Sequence, residues 1–133
     1  AGLLTPQVVM AAWPKSAFKS KTIDSAVKNL LGTSSMATSG DITIKAPPIA
    51  ENGAVVNIAV TSKLKNVSSI SILVEKNAQP LTSSFNLSSV TEPFIKTRVK
   101  IAKTSRVLAV VKSGGKLYSA SREVKVTIGG CGG

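Results

Sequence analysis

The hydrophobic positions follow a helical spacing near the N-terminus of the chain. In residues 22–31 the apolar side chains recur three or four positions apart, as on one face of a helix. Thr22 is a suitable N-cap and Gly32 a suitable stop. The pattern predicts one short helix, with an apolar face formed by Ile23, Ala26, Val27, Leu30 and Leu31.

A different pattern begins near Asp41, after the small, polar stretch LLGTSSMATSG. Apolar and polar residues alternate in short segments that Gly, Pro, Asn and Ser clusters separate, which is typical of strands. Gly114-Gly115 stands between two such segments and predicts an antiparallel hairpin. Helices between the strands are missing, so a two-sheet sandwich fits the pattern better than parallel α/β units do. About seven short strands predict an all-β fold, an immunoglobulin-like antiparallel β-sandwich with a short N-terminal helix.

The chain is predicted to form one domain in three parts. These are an N-terminal helical segment with its connector (1–40), the β-sandwich (41–128) and a flexible C-terminal arm (129–133). A chain of 133 residues with 43% hydrophobic side chains can bury a core without disulfide or metal cross-links. No apolar run reaches the roughly 18 residues that a spanning helix needs, and AGLLTPQVVMAAWP lacks a basic segment. We therefore expect a mature, soluble chain without membrane association.

The composition argues against autonomous catalysis. The sequence contains no histidine and one cysteine, so Ser-His-Asp triads, Cys-His dyads, histidine metal sites and CxxC pairs are all impossible. The six carboxylates are scattered singly, without the close pairing that acid–base catalysis uses. We expect a protein that is not an enzyme and has neither metal nor cofactor.

The net charge of +11 at pH 7 predicts anionic or acidic partners. Nucleic acid is not expected, because only five aromatic side chains are available for base stacking. In FIKTRVKIAK, the cations Lys96, Arg98 and Lys100 alternate with apolar residues and form a basic strand face. Docking to a partner is a secondary hypothesis for this face, and an ordinary solvated strand face explains it equally well.

The C-terminus carries the candidate reactive group. Val124, Val126 and Ile128 alternate inward on the last strand, and the chain then ends in GGCGG. A lone cysteine is usually a small buried residue, but nothing beside Cys131 can pack. Gly129, Gly130, Gly132 and Gly133 give a slender, mobile segment that reaches on the order of 10 Å beyond Ile128. The pattern predicts a thiol carried on an arm; an unimportant disordered tail is the alternative.

These residues resemble a known family. The end TIGGCGG, preceded by SGGKLYSASREVKV, looks like the SoxY subunit of the SoxYZ carrier, and IAENGAVV and VEKNAQPLTSSF are also similar to the family pattern. The likeness covers most of the chain, from Ile23 to Gly133, and GGCGG is its most specific part.

The resemblance implies a periplasmic sulfur carrier of the thiosulfate-oxidising Sox pathway. In such a carrier Cys131 would be the covalent attachment site for sulfur intermediates, and the four glycines would provide reach and clearance. The implied partners are the SoxZ subunit, the haem-containing SoxAX, the hydrolase SoxB and, where present, the sulfane dehydrogenase SoxCD. Apart from the resemblance, a free terminal thiol also allows a self-dimer through Cys131, by a disulfide or a sulfur bridge, when SoxZ is absent.

Two other functions stay open at this point. Gly132-Gly133 also ends ubiquitin-like sulfur donors, which activate a terminal carboxylate, but those have a β-grasp fold with the helix after the first hairpin. The other alternative is an immunoglobulin-like interaction module without chemistry, whose basic strand binds an acidic partner.

Overall fold

The described part of the chain folds into two β-sheets and two short helices. A computed structural model describes residues 8–9, 14–88 and 92–127. The helices are α1 (Lys15–Lys19) and α2 (Ile23–Leu31). The strands in chain order are β1 (Val8–Val9), β2 (Ala37–Thr38), β3 (Ile42–Lys45), β4 (Ile49–Ala50), β5 (Val56–Ser62), β6 (Val67–Val74), β7 (Leu81–Leu87), β8 (Phe94–Val99), β9 (Ser105–Ser113) and β10 (Lys116–Val126).

The connectivity of the longer strands is immunoglobulin-like. Seven of the described strands have four or more residues, and they form a small sheet β3-β5-β8 and the main path β7-β6-β9-β10 of a large sheet. When these seven strands are lettered in chain order as A, B, C, C′, E, F and G, the small sheet is A-B-E and the main path of the large sheet is C′-C-F-G. Immunoglobulin domains likewise keep C, F and G in one sheet and A, B and E in the other. The predicted β-sandwich is confirmed.

The hairpin predicted at Gly114-Gly115 joins β9 and β10. The two strands pair antiparallel from Lys116↔Ser113 to Val124↔Ser105. Gly114 and Gly115 have φ angles of 57° and 80°, a combination that a tight hairpin turn requires and that side chains with a Cβ rarely adopt. This hairpin brings β10 alongside the whole of β9.

The large sheet is covered on both faces. Successive residues of a strand point to opposite faces, so Ile72 of β6 packs in the core between the sheets while Leu73 packs beneath the helices. Val107 and Leu108 of β9 divide in the same way. The molecule therefore has three layers: helices, large sheet and small sheet.

The predicted helix is confirmed as α2. The Thr22 hydroxyl accepts a hydrogen bond from the Ser25 amide at 3.1 Å, and Gly32 closes the helix with a φ of 86°. The sequence pattern missed α1, whose five residues are too few to show a helical period. None of the helices in the described ranges is long and apolar enough to cross a membrane.

Three two-residue strands were also missed, because so short a segment cannot show alternation. β1 pairs with β7, while β2 and β4 both pair with β10. The last two pairings are parallel, so this edge of the predicted antiparallel sheet is mixed. The short strands β1 and β2 join the part predicted as a helical segment, 1–40, to the large sheet.

Candidate functional site

The predicted arm, 129–133, follows β10, which ends at Val126. Cys131 and the four glycines lie outside the described residues, and so does Ile128. Val124 is fully buried, and Val126 packs partly buried against the core between the sheets. The inward alternation is thus confirmed for these two valines, and residues 124–127 form the root of the arm.

The root is held from both sides. Pairing between β9 and β10 stops at Val124, and beyond it the Val126 amide donates to the Thr104 hydroxyl at 3.0 Å. On the opposite side, the Lys125 amide donates to the Pro48 carbonyl at 2.9 Å, and the Thr127 amide donates to the Ala50 carbonyl at 3.2 Å. Backbone order therefore extends three residues past the end of the β9–β10 ladder.

The loop that supplies Thr104 is itself fixed. The Asn77 amide group donates to the Lys100 carbonyl at 2.7 Å, and its side-chain oxygen accepts from the Ala102 amide at 2.9 Å. The Ile101 amide donates to the Gly53 carbonyl at 2.7 Å. These bonds hold residues 100–102 between two other loops, two residues before Thr104. Sequence reasoning missed Asn77 and Thr104, because partners 22 to 25 residues apart leave no local pattern.

The predicted basic face lies on the outer surface of the small sheet. Lys96 and Arg98 are exposed on β8, while Ile95 and Val99 on either side of the pair are buried and Thr97 between them is half-buried. Lys100 is exposed in the loop that follows β8, at the arm end of the molecule. The predicted alternation is confirmed, although Lys100 lies beyond the strand.

The structure adds a cation to this face. Lys45 and Lys96 both lie opposite Ala59 of the central strand β5, about 10 Å apart across two strand spacings. Arg98 lies opposite Asn57. None of the three cations forms an ion pair with a described residue. We call Lys45, Lys96, Arg98 and Ala59 the basic surface; the alternation in ITIK was the available signal for Lys45.

An exposed ion pair lies outside the basic surface, at the end of the sandwich where the arm root lies. Arg106 donates two hydrogen bonds to the Glu75 carboxylate, the shorter at 3.0 Å. The hydrogen bond from Arg106 lowers the pKa of Glu75, and the charges of Arg106 and Lys76 act in the same direction. Glu75 is therefore an ionised partner for Arg106 at neutral pH, without the raised pKa of a general acid.

A cleft of about 540 Å³ lies on the helix side of the large sheet. The start of α2, Glu75, Arg106 and Ser119 contribute to its lining. No predicted site residue lines it. Across the described ranges, no three His, Cys, Asp or Glu side chains are grouped as metal ligands would be.

The fold and the root together define a β-sandwich protein with a helical layer on one sheet and a last strand that leads into a cysteine-bearing terminus. A family model described as the sulfur oxidation protein SoxY matches residues 27–131, and the chain belongs to the SoxY family. The match includes all of the root and reaches Cys131.

A solved structure agrees with this assignment. The sulfur carrier protein SoxY from Chlorobium limicola f thiosulfatophilum is 41% identical, with a TM-score of 0.71, and the alignment covers 80% of this chain and 97% of that one. A superoxide reductase (neelaredoxin) from Ignicoccus hospitalis is 16% identical with a TM-score of 0.58, over 68% of this chain and 81% of that one, and shows a shared fold alone. No curated protein sequence matches the chain.

Proposed function

We propose that this chain is a sulfur carrier of the thiosulfate-oxidising Sox pathway and that it holds sulfur intermediates covalently on Cys131. The observation that carries the proposal is the SoxY family match through Cys131, together with the 41% identity to a SoxY sulfur carrier. The ordered root supports it, because a rigid base lets an arm deliver its thiol from a defined point.

The reach of the arm suits delivery into a cleft. Cys131 follows Thr127 by four residues, which span at most about 13 to 14 Å when extended. Glycines on both sides leave no side chain to collide with the walls of a narrow channel. A covalent tether also keeps a small sulfur intermediate at high effective concentration near each enzyme. The carrier performs no turnover alone and needs no cofactor.

The loading step requires a separate oxidant. The Cys131 thiolate and the terminal sulfur of thiosulfate form a sulfur–sulfur bond and release two electrons. The haem groups of SoxAX are the proposed acceptors. SoxB would then hydrolyse the conjugate, and SoxCD, where present, would oxidise the remaining sulfane. SoxZ is the proposed stable partner, the periplasm the proposed location, and a self-dimer through Cys131 the proposed product when SoxZ is absent.

Mass spectrometry of the intact carrier tests this function. The complex with SoxZ is incubated with thiosulfate and SoxAX, and the chain is weighed before and after reduction. We expect sulfur adducts on the wild type that reduction removes, and none on Cys131→Ser or on wild type alkylated beforehand. Adducts that survive the Cys131→Ser substitution would contradict the proposal.

The same experiment separates the two alternatives. Modification at the Gly133 carboxylate would favour a ubiquitin-like donor, although the β-sandwich lacks the β-grasp arrangement that this function predicts. An absence of any adduct on wild type would favour a simple interaction module.

Docking through cations is the second part of the proposal. Lys96, Arg98 and Lys100, extended by Lys45, present positive charge without a neutralising ion pair among the described residues. Such a surface attracts an acidic rim and speeds association at low salt. The variant Lys45→Glu with Lys96→Glu is expected to slow association with SoxB roughly tenfold at low salt, measured by stopped flow.

A matched control variant has the same net charge as Lys45→Glu with Lys96→Glu. Lys65→Glu with Lys116→Glu alters two exposed cations at the end of the sandwich opposite the arm. This variant is expected to slow association much less. Equal slowing by both pairs would show that net charge acts without a dedicated surface.

A further inference from the structure

Beyond Val124, each amide of the arm root has a partner that β9 does not supply. The amides of Lys125 and Thr127 donate to backbone carbonyls beside β4, and the Val126 amide between them donates to the Thr104 hydroxyl. Thr104 immediately precedes β9. Its hydroxyl thus takes the place of the next backbone acceptor in the ladder between β9 and β10.

We propose that Thr104 is a positioning residue that fixes where the arm begins, and that Asn77 supports it by holding residues 100–102. The inference rests on the proposed function of the arm. The hydroxyl keeps β10 attached on the side of β9 up to Val126. Without it, the backbone of residues 125–127 is attached by its pairing with β4, at a sheet edge.

The position of the root matters for delivery of Cys131. Three further released residues would lengthen the arm by about 10 Å. A longer, looser tether lowers the effective concentration of its end group, and each added flexible residue must be ordered again inside a partner's cleft. The root therefore sets both the reach of the thiol and the entropy that docking removes.

Three variants isolate the hydroxyl. Thr104→Val removes the acceptor with little change in shape, and Thr104→Ser retains it. Thr38→Val is the matched control, because Thr38 is another exposed threonine and lies in the short strand β2. Far-UV circular dichroism is used to check that all three variants remain folded.

Amide hydrogen exchange, followed by NMR, is the direct measurement. A net hydrogen bond corresponds to a change of roughly 2- to 12-fold in an opening equilibrium. We expect Thr104→Val to lower the protection of the Val126 and Thr127 amides by about that factor. Thr104→Ser and Thr38→Val should retain wild-type protection, and Asn77→Ala should lower it in the same direction. Unchanged protection at Val126 in Thr104→Val would overturn the inference.

Enzyme kinetics tests whether the root affects delivery of the thiol on the arm. With SoxB and loaded carrier, Thr104→Val is expected to raise KM several-fold, with Thr104→Ser restoring it, while a small soluble thiol reagent modifies Cys131 at the wild-type rate. An unchanged KM despite lost amide protection would refute the role in delivery. The exchange measurement needs no sulfur chemistry, so failure of this inference and failure of the carrier function are distinguishable.

Discussion

Gly53 lies where two loops and the last strand meet. A Cβ built on it would be 2.3 Å from the Ile101 carbonyl oxygen and 3.0 Å from Cγ1 of Val126. The first contact is with backbone, so it cannot be relieved by turning a side chain. The glycine is thus required for close approach, and its own carbonyl accepts the Ile101 amide.

Gly53→Ala is expected to lower the free energy of unfolding by about 1 to 3 kcal/mol, the usual cost of overpacking. Gly40→Ala is the control, because a Cβ at Gly40 would meet no atom within 4 Å. Urea denaturation followed by circular dichroism measures both. Equal midpoints for the two variants would show that the loops move apart freely.

The pair Glu75–Arg106 gives a prediction about pH. Arg106 lowers the pKa of Glu75 from its ordinary value of 4.5. The ion pair therefore stabilises the folded state above pH 4.5. This stabilisation is lost as the pH falls through the lower pKa that Glu75 has in the folded state. Both groups are exposed, which keeps the effect small. An NMR titration should show that Arg106→Gln raises the pKa of Glu75 and Arg122→Gln does not. If the pKa of Glu75 were equally low in Arg106→Gln, Arg106 would not be the cause of the lowering.

At the scale of elements, α2 illustrates how local signals and packing combine. Its cap, its first-turn Asp24 and its terminal Gly32 all agree with the rules for isolated helices. Nine residues are nevertheless too few for a stable helix in water. Burial of Ala26 and Val27 against the large sheet supplies the remaining stability.

Thr22→Ala is expected to cost about 1 kcal/mol in the free energy of unfolding, because the Ser25 amide loses its acceptor. Ser25→Ala is the matched control: it removes an exposed hydroxyl from the same turn and keeps the capping bond. Thermal and urea denaturation compare the two. A loss of stability in Ser25→Ala as large as in Thr22→Ala would show that the cap is not the cause.

At the scale of the whole molecule, the large sheet is shared by two cores. Ile72 and Leu73 are both fully buried neighbours on β6, yet they belong to different clusters. Since one strand carries both, loss of either core withdraws support from the other. The chain is therefore predicted to unfold as one domain.

Ile72→Ala and Leu73→Ala are each expected to lower the free energy of unfolding by about 2 to 5 kcal/mol. Methyl NMR signals from α2 and from β5 should disappear at the same urea concentration in wild type and in both variants. Separate unfolding transitions for α2 and β5, with Leu73→Ala changing the urea midpoint of α2 alone, would contradict a single domain.

The sequence by itself determined the β-sandwich, α2, the hairpin at Gly114-Gly115, the basic alternation on β8 and the family. Each of these depends on patterns within about ten residues or on a local motif, because periodicity and turn chemistry are set by near neighbours. GGCGG also indicated the candidate thiol, whose role and surroundings stay predictions.

Only the tertiary structure decided the pairing of β4 with β10, the place of Lys45 in the basic surface, the bonds from Asn77 to Lys100 and Ala102, and the bond by which Thr104 holds the root. In each case the interacting residues are 14 or more positions apart in the chain, as for Lys45 and Ala59. Their contact depends on how the two sheets pack and where the loops between them meet, and neither is encoded by the spacing of neighbouring side chains.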